Sequence, residues 1–169
     1  TNNGLLADFS GICPLISTGT IGGTQTFASN AAEFVASECL CPAGNISLNS
    51  QAEINNFPVN YPGCNQIFGD LNISGADITD LSPLSSLVSV GGTLTVGLIP
   101  NLNNLQGLNN LQFVGGSLVL SELPAIQNLN ALSNLNTVEG DLIVTNNGLL
   151  ADYSGICPLI STGVIGGTQ

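Results

Sequence analysis

From Gly69 onward the apolar residues of this chain fall into register about every 24 positions. The stretch can be written GDLNISGADITDLSPLSSLVSV, GGTLTVGLIPNLNNLQGLNNLQFV, GGSLVLSELPAIQNLNALSNLNTV and EGDLIVTNNGLLADYSGICPLIST. Gly92, Gly116 and Gly140 stand 24 apart, with Gly69 one residue short of that spacing. Six apolar columns result: Leu71/Leu94/Leu118/Leu142, Ile73/Val96/Leu120/Val144, Ile78/Leu102/Ile126/Leu150, Leu81/Leu105/Leu129/Tyr153, Leu84/Leu108/Leu132/Ile156 and Leu87/Leu111/Leu135/Leu159. Within one repeat, G-x-L-x-V alternates with period two and predicts a short strand with Leu and Val inward. The following L-x-x-L-x-x-L-x-x-V has a spacing of three, which fits a 3₁₀-like or one-turn helical return better than another strand. One repeat alone leaves its apolar face open, so repeats must stack, their strands forming a parallel sheet. The expected class is mainly β, a solenoid of four coils over residues 65–162.

Polar punctuation fills in the rest. Asn45–Leu48 reads as a first strand, and Ser50–Phe57 as a short helix with Ser50 as N-cap and Glu53 at capping-box spacing. Pro58 is expected to end that helix, and Tyr61-Pro62-Gly63 to turn the chain into Cys64. Residues 39–64 would thus cap the first coil, since a bare stack exposes strand edges. Gly155–Gly167 would close the other end. Asn103–Asn104 and Asn109–Asn110 either form polar turns or stack as side-chain ladders.

A second, longer period encloses the first. Thr1–Gln25 returns as Thr145–Gln169 with 23 of 25 positions identical; only Phe9/Tyr153 and Thr20/Val164 differ. Near-identity at an offset of 144 predicts an excerpt of a tandem array. On this reading residues 1–23 are the closing cap of a preceding unit and 24–38 a linker, with a short amphipathic helix over Asn30–Glu38 presenting Phe34 and Val35. Residues 163–169 begin the next linker.

Composition narrows the chemistry. The chain has no Lys, Arg or His, where about 20 Lys and Arg are usual for this length. Its eleven acids leave a net charge of −11. Nucleic acid and anionic membranes are therefore repelled rather than bound. Imidazole bases, Schiff bases, Lys–Asn crosslinks and His-ligated metals are excluded, and so is cleavage by trypsin-like proteases. No stretch is long and apolar enough to insert in a membrane. With 43% hydrophobic residues and a mean hydropathy of +0.40, the chain can nevertheless bury a core. The carboxylate pairs Asp77/Asp80 and Glu139/Asp141 are the residues an acid-only enzyme would use, and Ca²⁺, bound through oxygen, is the cation they would suit. Their spacing matches no standard calcium loop, so the expectation is no enzyme, no cofactor and solvated acids. Asn45-Ile46-Ser47 and Asn72-Ile73-Ser74 match the glycosylation sequon, but on expected strands. The row Asn72, Thr95, Val119, Ile143 lacks the regularity of an ice-binding face.

The segment CPAGNISLNSQAEINNFPVNYPGCNQIFGDLNISG, continued by DITDLSPLSSLVSVGGTLTV, resembles the receptor L domain. More narrowly it is similar to the bacterial leucine-rich L-domain repeats of large secreted surface proteins. Gly63, Cys64, Gly69, Leu71 and Ile73 fall where the family has its Gly-Cys and its entry into a right-handed parallel β-helix. The resemblance covers about residues 39–162. By spacing alone, the unit's four cysteines (Cys13, Cys39, Cys41, Cys64) allow three pairings. The resemblance implies Cys41–Cys64, with Cys13–Cys39 as a staple between units and Cys157 bonding into the next unit. It also implies an oxidising, extracellular setting on a bacterial surface. Two functions are then expected. One is a structural unit of an extracellular fibre or stalk, whose partners are neighbouring copies. The other is an adhesin or ligand-binding module with Phe27, Phe34, Tyr61, Phe68 or Phe113 as candidate anchors.

Overall fold

A computed structural model describes residues 41–42 and 44–168. The chain there is mainly β, with two parallel five-stranded sheets and one helix of three turns. The first sheet contains β1 (Ile46–Leu48), β3 (Leu71–Ile73), β5 (Leu94–Gly97), β7 (Leu118–Ser121) and β9 (Leu142–Thr145), in that order. The second contains β2 (Gln66–Ile67), β4 (Ser89–Val90), β6 (Phe113–Val114), β8 (Thr137–Val138) and β10 (Val164–Ile165). Each repeat thus gives one strand to each sheet and passes on. The registers Leu71↔Leu94, Leu94↔Leu118 and Leu118↔Leu142 follow the first expected column.

The second sheet departs from the sequence reading, which made the whole i+3 run a 3₁₀-like or one-turn helical return. The return does hold 3₁₀ turns at Ser82–Leu84, Asn130–Leu132 and Ser154–Ile156. A two-residue strand ends the return of each repeat, and in the first three repeats (β4, β6 and β8) it buries Val90, Val114 and Val138. A two-residue strand is too short to show alternation, so only its inward valine is visible in the sequence.

The core lies between the sheets and continues through the turns. The columns headed by Leu71, Ile73, Ile78, Leu81, Leu84 and Leu87 are buried through their first three repeats. Two residues outside those columns join them: Ile99 and Leu123, also 24 apart and fully buried. Among the described residues no polar side-chain atom is buried without a partner.

The helix α1 (Gln51–Asn60) lies between β1 and β2. Ser50 is its N-cap, accepting from Glu53 N at 3.3 Å, while the Glu53 carboxylate accepts from Asn49 N at 2.5 Å. Reciprocal capping is therefore present, one residue earlier on the return bond than in the usual box. Pro58 does not end the helix. It sits inside, exposed, and its missing N–H forfeits only the bond that would reach Ile54 O. Phe57 on the core and Tyr61 against it (ring centroids 5.2 Å apart) hold the turn on either side, and Tyr61 N donates to Phe57 O.

Candidate functional site

Cys41 and Cys64 are disulfide-bonded, with Cα atoms 5.0 Å apart, tying the start of the described chain to the turn that follows α1. Cys13 and Cys39 lie outside the described residues, as do Phe27, Phe34 and the expected helix over 30–38. Cys157 is an exposed free thiol at the start of the short helix α2 (Cys157–Thr162). Tyr61, Phe68 and Phe113 are half-buried.

Three of the four candidate carboxylates, Asp77, Asp80 and Asp141, accept from backbone N–H groups. Asp77 accepts from Gln51 N at 3.1 Å, and Asp80 from Ser82 N and Oγ at 2.8 and 2.6 Å. Asp80 begins a column absent from the sequence reading. Asn104, Asn128 and Asp152 occupy the same place in later repeats, and each accepts from the N–H two residues ahead (Gln106, Asn130 and Ser154, at 2.9–3.2 Å). These are Asx turns that shape the return. The bond from Ser154 lowers the pKa of Asp152.

A second polar column climbs the stack beside the glycines. Asn45 Oδ1 accepts from Asp70 N at 2.9 Å, Asp70 Oδ1 from Thr93 N at 2.8 Å, and Thr93 Oγ1 from Ser117 N at 3.3 Å. Ser117 Oγ then accepts from Asp141 N at 3.0 Å, and Asp141 Oδ1 from Thr168 N at 2.6 Å. The glycine before each of these donors makes room: a Cβ at Gly92 would collide with Asp70 Oδ1, and one at Gly140 with Ser117 Oγ. Asparagines add rungs elsewhere, Asn110 Nδ2 donating to Ser85 O and Asn134 Nδ2 to Asn109 O. Of the two expected readings the turns are observed, with Asn104 in an Asx turn and Asn109 and Asn110 in the next turn, and the Asn110 amide adds a side-chain-to-backbone step between repeats. Asn45, the first sequon asparagine, also donates its amide to Asp70 Oδ2 at 3.0 Å. Among the described residues, no three His, Cys, Asp or Glu side chains gather where they could hold a metal ion.

Two surfaces remain that the interior does not use. The first is the end of the stack at the last repeat. In the fourth column Leu105 and Leu129 are 1% and 0% exposed, whereas Tyr153, the next member, is 48% exposed. Leu149, Ile160 and Val164 of the same repeat also face solvent, beside the outer edges of β9 and β10. The second is an open groove of about 400 Å³ where the chain leaves the first sheet, lined by Leu98, Pro100, Glu122, Pro124 and Asn146. Leu98, Glu122 and Asn146 are 24 apart, and all three are left-handed, with φ of 58°, 55° and 56°. No other non-glycine residue described has positive φ. Nothing in the sequence marks this column, because leucine, glutamate and asparagine share no chemistry; only Asn is a usual left-handed residue.

The family model of the receptor L domain matches residues 63–127, from the turn before Cys64 through the first two repeats and into the third. No curated protein and no solved structure matches the chain. The chain is thus receptor L-domain-like over that stretch, a similarity that suggests a ligand-binding or surface module. The Cys41–Cys64 bond fits an oxidising, extracellular setting. No helix among the described residues is long and apolar enough to cross a membrane.

Proposed function

We propose that the chain is one period of an array of receptor L-domain-like units that builds an extracellular fibre or stalk on a bacterial surface. The unit is a right-handed leucine-rich solenoid, approximately residues 39–162, joined to its neighbours by linkers equivalent to 24–38. One observation carries the reading: the repeat whose sequence returns at an offset of 144 is also the one whose core column opens at Tyr153. In the earlier copy, residues 26–40 follow that repeat directly, and they bring Phe34, Val35 and Cys39. A segment of that kind would cover Tyr153, Leu149 and Val164 and give Cys157 its disulfide partner. The role is mechanical, without catalysis: the aspartates of the described repeats organise turns and rungs, and the charge of the acids keeps the surface solvated.

Native material on a denaturing gel, with and without reductant, tests this. A one-unit ladder appearing only on reduction means disulfide-joined subunits. A very large species that survives reduction means one long tandem polypeptide. A species of one-unit mass in both lanes overturns the array.

The alternative reading is a ligand-binding surface module, favoured by the family match and by the groove at Leu98, which no part of the stack requires.

A further inference from the structure

We infer that the groove at Leu98, Pro100, Glu122, Pro124 and Asn146 is a docking site for an extended peptide segment of another protein, one that presents an arginine or lysine beside an apolar side chain. Its walls are two rows in repeat register. Leu98, Glu122 and Asn146 form one, and Pro100 and Pro124 the other, with exposed Gly148 opening the end. Beneath them Ile99 and Leu123 are fully buried, so the floor is fixed. The groove is therefore held by the stack.

Leu98 is the informative residue. It is 61% exposed, and a leucine in the left-handed region is strained by contact between its Cβ and the backbone. Folding alone gains nothing from an exposed, strained leucine where glycine or asparagine would serve. An apolar wall for a bound side chain does require it.

Charge selects the occupant. Glu122 lines the groove together with the two prolines, and the chain has no Lys, Arg or His to meet its charge. A second copy of the chain is equally without cations, so self-association cannot supply the pairing. An arginine can: its methylene stem lies on Leu98 and Pro124 while the guanidinium meets Glu122, and Asn146 remains for the partner's backbone. The net charge of −11 would also speed encounter with a basic partner.

The experiment titrates the isotope-labelled chain with a blocked Ala-Leu-Arg-Leu-Ala peptide and follows amide shifts. Shifts centred on residues 97–99, 121–123 and 145–147 are expected. Replacing the peptide's arginine with neutral citrulline should weaken binding about tenfold or more, and so should Glu122→Gln. Leu98→Gly, which the backbone accepts, should weaken it several-fold while the remaining amide spectrum stays native. Equal binding of the citrulline peptide or by Glu122→Gln overturns the proposal, as do no binding at all and shifts spread over the other carboxylates. Concentration-dependent shifts at the same amides without peptide would assign the groove to a second copy and also overturn it. A single unit suffices throughout, so the result is independent of whether units form an array.

Discussion

Asp141 holds Thr168 twice, its Oδ1 accepting from the backbone N–H at 2.6 Å and from the hydroxyl at 2.9 Å. Leu142 N in turn donates to Thr168 O, so this contact fastens the end of the described chain to the outermost strand of the first sheet. The backbone bond, then the hydroxyl bond, lowers the pKa of Asp141, outweighing a small opposing effect of desolvation. A carboxyl whose pKa is depressed by folding contributes stability above its ordinary value of about 4, and loses it as pH falls through the folded value. Hydrogen-exchange protection at Thr168 and Leu142 should therefore be constant from neutral pH to about pH 5, then fall on further acidification. Asp141→Asn should flatten that dependence. Protection that stays unchanged in the native protein down to pH 2 would show that the carboxylate is not what fastens this end.

Leu98 and Glu122 hold left-handed backbone without glycine's freedom. Relieving that strain is worth roughly 1–2 kcal/mol per residue, less the entropy glycine loses on folding. Leu98→Gly should accordingly raise stability in urea unfolding by up to about 1 kcal/mol. Leu98→Val, β-branched at the same φ, should lower it. A loss of stability in Leu98→Gly would mean that Leu98 packs usefully against Pro100 or Pro124, and would make it a structural residue.

The six apolar columns were legible because each repeats an apolar residue at one spacing, and Ser50 and Glu53 were legible because their three-residue separation is that of a capping box. What stayed hidden shares a mechanism rather than a residue type. Asn45, Asp70, Thr93, Ser117 and Asp141 have in common only a side-chain oxygen that reaches the next repeat's N–H. Asp80, Asn104, Asn128 and Asp152 share an acceptor aimed two residues ahead. Charge-based reading separated the aspartates from their neutral equivalents and considered them as acids. Pro58 was misplaced for a different reason: local propensity ends a helix there, but burial of Phe57 and packing of Tyr61 carry it to Asn60. The groove was invisible because its determinant is a backbone angle.

Gly107, like Gly155, makes one of the tightest contacts between neighbouring returns. Its φ is +110°, and a Cβ there would overlap the carbonyl of Leu81 in the preceding repeat. Gly107→Ala must move the backbone of two repeats, which should cost roughly 1–3 kcal/mol. Gly148→Ala offers the control, since a Cβ there meets nothing within 4 Å and its φ is not in the left-handed range. Thermal unfolding of the two variants should separate by several degrees, with Gly148→Ala near the parent. Equal melting would show that the stack yields locally at Gly107 instead of transmitting the strain.

The described cysteines should behave oppositely. Cys41 and Cys64 are 23 residues apart in sequence, and closing a loop of that size stabilises by about 3 kcal/mol in the chain-entropy picture. Cys64 is also buried beneath α1, with its sulfur near Gln66 O, so losing the bond loosens the first end of the stack as well. The double variant Cys41→Ala/Cys64→Ala should lose about that much in denaturant unfolding, with the change in protection concentrated in β1 and α1. Cys157 is exposed and in no disulfide among the described residues, its sulfur making only a long contact to Tyr153 O, so Cys157→Ser should alter stability by less than about 0.5 kcal/mol. A thiol reagent should label Cys157 without denaturant, with the site read after cleavage at glutamates because the chain offers no trypsin sites. If Cys157 resists labelling in native material but reacts in the isolated unit, a neighbour covers the end face. Equal reactivity in both would leave Tyr153 and Leu149 open to solvent, and any contact between the proposed units would have to lie elsewhere.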